Sequence, residues 1–171
     1  MKNNISEDDV INAQGLWADH VIQIGDLYTN NADYKKAAYD FVSNFYAYGI
    51  GNVLFKPTLA TKNQFRLKFD DALSYFVGGS IKEDKGFALN TWESIEWNNA
   101  KVIIKHDIAI CMGKYYFNSC DGDSVEAEYS FVYQKNKNNK LKIILHHSSV
   151  PYNKRTSYTS IISNIMKSAL K

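Results

Sequence analysis

The chain has 171 residues, 45% hydrophobic and 22% charged, with a formal net charge of +2. That length suits one domain with a substantial core. The charge is too small to point to nucleic acid or an anionic membrane surface as a partner. No apolar run approaches the roughly 20 residues that cross a bilayer. Met1–Val10 is polar and acidic, without the apolar stretch of a signal peptide, so a cytoplasmic protein is expected. The two cysteines, Cys111 and Cys120, form no Cys-x-x-Cys pair and suit a reducing compartment. With 12 tyrosines in the chain, a β-rich half is expected.

Ser6 followed by Glu7, Asp8 and Asp9 is a helix start, with an N-cap and acids in the first turn. Val10, Ala13, Leu16, Trp17, His20, Val21, Ile24, Leu27 and Tyr28 recur at three-to-four spacing, the apolar face of one long helix. Asp33 caps a second helix with Ala37, Ala38, Phe41, Val42 and Phe45 inward, and Tyr48–Gly51 ends it. Asn52–Lys56 reads as a short strand before Pro57, and Thr58–Leu67 as a turn with a short helical piece. Asp70 and Asp71 open a third helix that Gly78 and Gly79 close. From Ile81 onward the helical period gives way to short β-rich runs: Gly86–Asn90, Ser94–Asn98, Lys101–His106, Ile108–Phe117, Val125–Lys135 and Leu141–Val150. Asn98-Asn99, His106-Asp107, Cys120–Asp123 and Asn136–Asn139 are the expected turns. Three helices with one strand between them, followed by an antiparallel meander, predict an α+β fold. A curved sheet closes over the helices as a cone with a pocket inside. One domain is expected over residues 1–153. Residues 154–171 form an extension, in which Ile161, Ile162, Ile165, Met166, Ala169 and Leu170 mark an amphipathic helix.

The strand Leu141–Tyr152 is apolar up to Leu145 and then turns polar through His146-His147-Ser148-Ser149. Neighbouring strand residues face opposite ways, so the two histidines cannot both ligate one ion. His20 sits in the helical stripe and reads as a satisfied core histidine, and His106 lies in a turn. No Cys/His set has zinc spacing, so no metal site is expected. Gly-x-Ser-x-Gly and phosphate-loop motifs are absent. Strict alternation places Leu141, Ile143, Leu145, His147 and Ser149 on one face, with Lys142, Ile144, His146 and Ser148 on the other. The first set ends an apolar surface with an imidazole and a hydroxyl, the usual form of a small-ligand site. The plainer reading is that His147 and Ser149 satisfy each other and the backbone.

Val-Leu-Phe-Lys-Pro-Thr (53–58), Ala-Leu-Ser-Tyr-Phe-Val-Gly-Gly (72–79), Met-Gly-Lys-Tyr-Tyr-Phe (112–117), Val-Glu-Ala-Glu-Tyr-Ser-Phe (125–131) and Leu-His-His-Ser-Ser-Val-Pro-Tyr (145–152) occur together and in order. This set resembles the iota-class carbonic anhydrases, including their metal-free bacterial and algal members, over about residues 7–152. The resemblance implies the NTF2-like cone-shaped α+β barrel, which is also the scaffold of the calcium/calmodulin-kinase association domains. It implies a homodimer, no cofactor, and carbon dioxide and bicarbonate as substrate and product. Carried over residue by residue, it points to Thr58, Tyr75, His147 and Ser149 as the catalytic set. Thr58, Tyr75 and Ser149 would hold the water and the nascent bicarbonate. Phe76, with Phe55 and Tyr129, would host the gas. His147, or a network containing Tyr75, would carry the proton away. The chain departs from the family at Lys114, which would add a cation if it points into the cone, and at Ser130. A ligand-binding or oligomerisation module on the same scaffold is the competing reading, and an enzyme of different chemistry is a third.

Overall fold

The computed structural model describes residues 4–152. Helix α1 spans Glu7–Thr29 and opens on a complete capping box: Ser6 accepts from the Asp9 backbone N–H, and the Asp9 carboxylate accepts from the Ser6 N–H. Its inner face buries Val10, Gln14, Trp17, Ala18, Val21 and Ile24, while Leu16 and Tyr28 face solvent. Asp33 caps α2 (Tyr34–Phe45), which buries Ala38, Phe41 and Val42. Strand β1 is Leu54–Lys56, and α3 is Phe69–Val77, closed by Gly78 at a φ of 74°. No helical piece forms between residues 58 and 67.

The meander comprises β2 (Trp92–Lys105), β3 (Ile108–Ser119), β4 (Ser124–Lys135) and β5 (Leu141–Ser149). With β1 it makes one sheet in the order β1-β5-β4-β3-β2. The meander pairs are antiparallel, whereas β1 runs parallel to β5, with Phe55 opposite His146. That parallel pairing brings the segment before Pro57 alongside the polar end of β5. The helices pack on one face of the sheet around Trp17, whose ring meets Phe41, Phe76, Trp97 and Phe131 edge-on. Edge-to-face rings at this spacing add to what area burial alone contributes.

Three further local readings change. Gly86–Asn90 is no strand; Phe87–Leu89 forms a 3₁₀ turn after Gly86, which takes a φ of 84°. Asn98-Asn99 is no turn; β2 runs straight through, with an irregularity between Asn99 and Lys101. The Asn99 side chain there exchanges hydrogen bonds with Gln14 of α1 (2.8 and 3.0 Å) and accepts from the Tyr129 hydroxyl (2.7 Å). Gly113 lies opposite, where a Cβ would stand 2.1 Å from the Asn98 carbonyl oxygen, so only glycine fits.

The third change bears on the site. In β4, Ala127, Tyr129, Phe131 and Tyr133 alternate inward without interruption. Their partners in β5 do not. Val132 pairs with Leu145 but Tyr133 pairs with Ile143, so Ile144 is an extra residue, a β-bulge. One inserted residue reverses which face every later side chain takes. Ile143 is therefore buried with His146 and Ser148, and the alternation that put His147 and Ser149 inside is corrected: His147 is exposed and Ser149 half-buried. The bulge sits where the chain leaving α2 meets β5, at a bridge between Tyr46 and Ile143. The helix expected within 154–171 lies outside the described residues. Among those described, no helix is long and apolar enough to cross a membrane.

Candidate active site

The polar end of β5, the loop after β1, helix α3 and β3 converge on a cavity of about 10 Å³, the space of roughly one water. Its polar wall is Thr58, Tyr75, Tyr115, His146 and Ser148. Its apolar wall includes Trp17, Phe76, Phe87 and Phe117. The rings of Tyr75 and Phe87 stack at 5.4 Å and also line an adjoining cleft of about 110 Å³, so two aromatic rings partition the cavity from the cleft.

Each hydroxyl is held by its neighbours. The Tyr115 hydroxyl donates to Ser148 Oγ, and Ser148 Oγ shares a hydrogen bond with Thr58 Oγ1. Lys56 Nζ donates to the Ser148 carbonyl at 2.9 Å, tying β1 to the end of β5. Tyr75 is buried against the Phe55, Phe76 and Phe87 rings. Arg66 forms a 2.6 Å ion pair with Asp84, and Asp84 accepts from Ser74 Oγ at 2.7 Å. This pins the loop carrying Thr58 against the helix carrying Tyr75. Glu83 clamps the same loop by accepting from the Thr61 hydroxyl and from the Lys62, Asn63 and Thr61 backbone N–H groups, and these bonds hold its carboxyl down to about 2.

His146 is sandwiched between Phe131 (4.0 Å) and Phe55 (4.7 Å). Burial, and secondarily the neighbouring His147, pushes its imidazole well below the usual value, so the ring is neutral. Burial pushes the Tyr75, Tyr115 and Tyr46 phenols upward, which favours their protonated form as hydrogen-bond donors.

The depressed imidazole makes a testable statement about stability. The unfolded chain binds a proton on His146 near pH 6.5 that the native state does not. Its contribution is therefore intact above about pH 6.5 and is lost as the pH falls below that value, at up to about 1.4 kcal/mol per pH unit. Urea midpoints measured from neutral to mildly acidic pH should fall accordingly, and the His146→Gln variant should show a flatter slope. An unchanged slope in that variant would contradict the buried, neutral ring.

Of the residues expected from the sequence, Thr58, Tyr75 and Phe76 lie on the cavity. His147 and Ser149 instead line a groove of about 340 Å³ on the outer sheet face, where Ser149 Oγ lies 3.4 Å from Glu128. Lys114 points away from the cone and pairs with Glu126 at 2.6 Å. Phe55 stacks on His146, and the Tyr129 hydroxyl belongs to the Gln14–Asn99 network. Tyr115 is a site residue the sequence reading did not single out, although Tyr115 and Phe117 alternate inward around Tyr116. Among the described residues, no group of three or more His, Cys, Asp or Glu side chains could hold a metal ion.

Comparison with known proteins identifies the family. The family model described as metal-independent carbonic anhydrase matches residues 8–150. A metal-independent carbonic anhydrase from Nostoc sp. is 37% identical over 153 residues, covering 86% of this chain and 75% of that one. The crystal structure of a cyanobacterial iota-carbonic anhydrase complexed with bicarbonate superposes with a TM-score of 0.86 at 34% identity, over 90% of this chain and 96% of that one. A candidate dehydratase of the NTF2-like family from Streptomyces avermitilis matches with a TM-score of 0.56 at 11% identity, covering 85% of this chain and 96% of that one, and shares the fold alone. The chain belongs to the metal-independent carbonic anhydrase family.

Proposed function

We infer that this protein catalyses the reversible hydration of carbon dioxide without a metal, in the cavity between β5, β3, α3 and the loop after β1. The observation that carries the reading is a water-sized space whose walls are apolar rings on one side and mutually bonded hydroxyls on the other. Carbon dioxide needs a dry surface, and the charge that develops on its oxygens needs donors already in place. Thr58 and Ser148 supply hydroxyls, Tyr115 orients them, Tyr75 closes the site, and Phe76 and Phe117 are the apolar wall.

In the proposed step the water oxygen bonds to the carbon of carbon dioxide. One water proton passes to the Thr58 or Ser148 oxygen as that hydroxyl gives its own proton to a carbon dioxide oxygen. The hydroxyl is regenerated and the product is carbonic acid, whose proton passes to water on release. The Tyr75 and Phe87 rings separate the cavity from the adjoining cleft, and we place the entry of carbon dioxide at these rings.

Hydration assayed after exhaustive chelation, with elemental analysis of the same sample, tests the reading. Undiminished activity in metal-free protein is the expected result. Activity that vanishes on chelation and returns with a metal would overturn it, and no hydration above background would favour a binding or assembly module. We further propose a cytoplasmic homodimer. Supporting the second copy, Ile103, Ile110 and Met112 are 41–56% exposed together on the outer sheet face.

A further inference from the structure

His146 meets a hydroxyl at each ring nitrogen: Tyr46 at Nδ1, 2.9 Å away, and Tyr115 at Nε2, 3.4 Å away. A neutral imidazole carries one proton, so it accepts on one side and donates on the other. Trp17 decides which. Its indole N–H can only donate, and it lies 3.3 Å from the Tyr46 hydroxyl oxygen inside the core. Among the described residues the Tyr46 hydroxyl has these two partners, the indole and Nδ1. If Nδ1 carried the proton, two donors would face the Tyr46 oxygen and its own buried O–H would be left without an acceptor, a costly arrangement. With Nδ1 bare, every group is satisfied: the indole donates to Tyr46, Tyr46 donates to Nδ1, and Nε2–H donates to Tyr115.

We propose that Trp17 and Tyr46 are positioning residues that fix His146 as its Nε2–H tautomer, so that the histidine donates toward the cavity and is not the acceptor of the water's proton. The polarity then runs one way. Tyr115, receiving from Nε2–H, donates to Ser148 Oγ. Ser148 and Thr58 share one hydrogen between them, which leaves the other O–H, on the cavity wall, available to donate to a molecule bound there. A chain of donors that begins at an indole and ends at the substrate is an arrangement for stabilising negative charge on oxygen. The titratable groups around the ring are the two phenols, Tyr46 after α2 and Tyr115 on β3, and His147, next in β5. The inference rests on the hydroxyl-relay reading for its meaning, but the tautomer can be read without any turnover.

Two-bond ¹H–¹⁵N correlation spectra of protein labelled at histidine give that readout. The expected His146 signals are a pyridine-type Nδ1 and a pyrrole-type Nε2, unchanged across the pH range in which kcat changes. Tyr46→Phe keeps the ring but removes the donor to Nδ1. It should give a mixture of tautomers and lower kcat about tenfold with KM little changed, as expected when a transition-state interaction weakens. Trp17→Phe should mix the tautomers with Tyr46 still in place. An Nδ1–H tautomer in the wild type, or a His146 imidazolium that titrates together with kcat, would overturn the proposal. Should either variant fail to fold, the wild-type spectrum decides. An Nε2–H tautomer in a protein without hydration activity would sink the relay reading and leave the tautomer assignment standing.

Discussion

Ser148→Ala is expected to lower carbon dioxide hydration about 10²–10³-fold, the loss typical of removing one preorganised donor from a charge-stabilising site. Ser149→Ala, one residue on, should stay within about twofold of wild type, because substitutions away from such features have small effects. Ser148 is 1% exposed, receives the Tyr115 hydroxyl and is bonded to Thr58. Ser149 sits on the other face beside Glu128. Alanine at 148 leaves the Tyr115 and Thr58 hydroxyls without their common partner, so it removes the relay as well as one donor. Stopped-flow hydration on folded protein, with circular dichroism as the control, measures both variants. The reverse ranking would restore strict alternation along β5 and move the site to the outer sheet face. The same logic makes Thr58→Val the companion of Ser148→Ala. Because the two hydroxyls act as one unit, the double variant should lose little more than either single one.

Arg66→Ala is expected to be the most destabilising single change near the site, at about 3–5 kcal/mol. The Arg66 side chain is 0% exposed and that of Asp84 1%, and their 2.6 Å contact is therefore a desolvated ion pair. Removing one partner strands the other charge in a medium that solvates it poorly. The damage also spreads through the backbone. The Arg66 N–H donates to the Phe55 carbonyl at 2.7 Å, and its own carbonyl accepts from the Tyr48 hydroxyl at 2.6 Å, so the residue joins β1 to the end of α2. Urea unfolding measures the loss as a lower midpoint. Replacing the pair together, as Arg66→Met with Asp84→Leu, should recover most of the stability, since an apolar pair of similar volume often substitutes for a buried ion pair. Recovered stability with activity still depressed would separate the pair's role in positioning Thr58 and Tyr75 from its role in folding. A loss below about 0.5 kcal/mol in Arg66→Ala, the range of ordinary surface changes, would refute the assignment.

Much of the architecture was legible from local chemistry. The capping box at Ser6, the Asp33 cap and the three-to-four spacing around Trp17 marked the helices, because caps and apolar stripes act within a few residues of chain. The glycines after α3, the Asp121-Gly122 turn and the alternation in β4 did the same for the α3 end and the meander. The blocks that carry the family resemblance led to Thr58, Tyr75 and Phe76, which do lie on one cavity. The apparent strand at 86–90 failed for an equally local reason: a short apolar run does not distinguish a strand from a 3₁₀ turn, and Gly86 tips it to the turn.

The chain by itself thus determined the three helices, β1 and the run of the later strands in order, and the polar end of β5 as the place to look. Which histidine and which serine face inward was decided by the tertiary structure. Period-two alternation holds only while each residue of β5 has its own partner in β4. At Ile144 it does not, because β5 there accommodates the chain arriving from α2 at Tyr46. One unpaired residue, invisible in the sequence of β5 alone, exchanges His147 and Ser149 for His146 and Ser148. It places the inward imidazole 2.9 Å from Tyr46, a residue 100 positions earlier whose hydroxyl acquires its meaning only from what it touches.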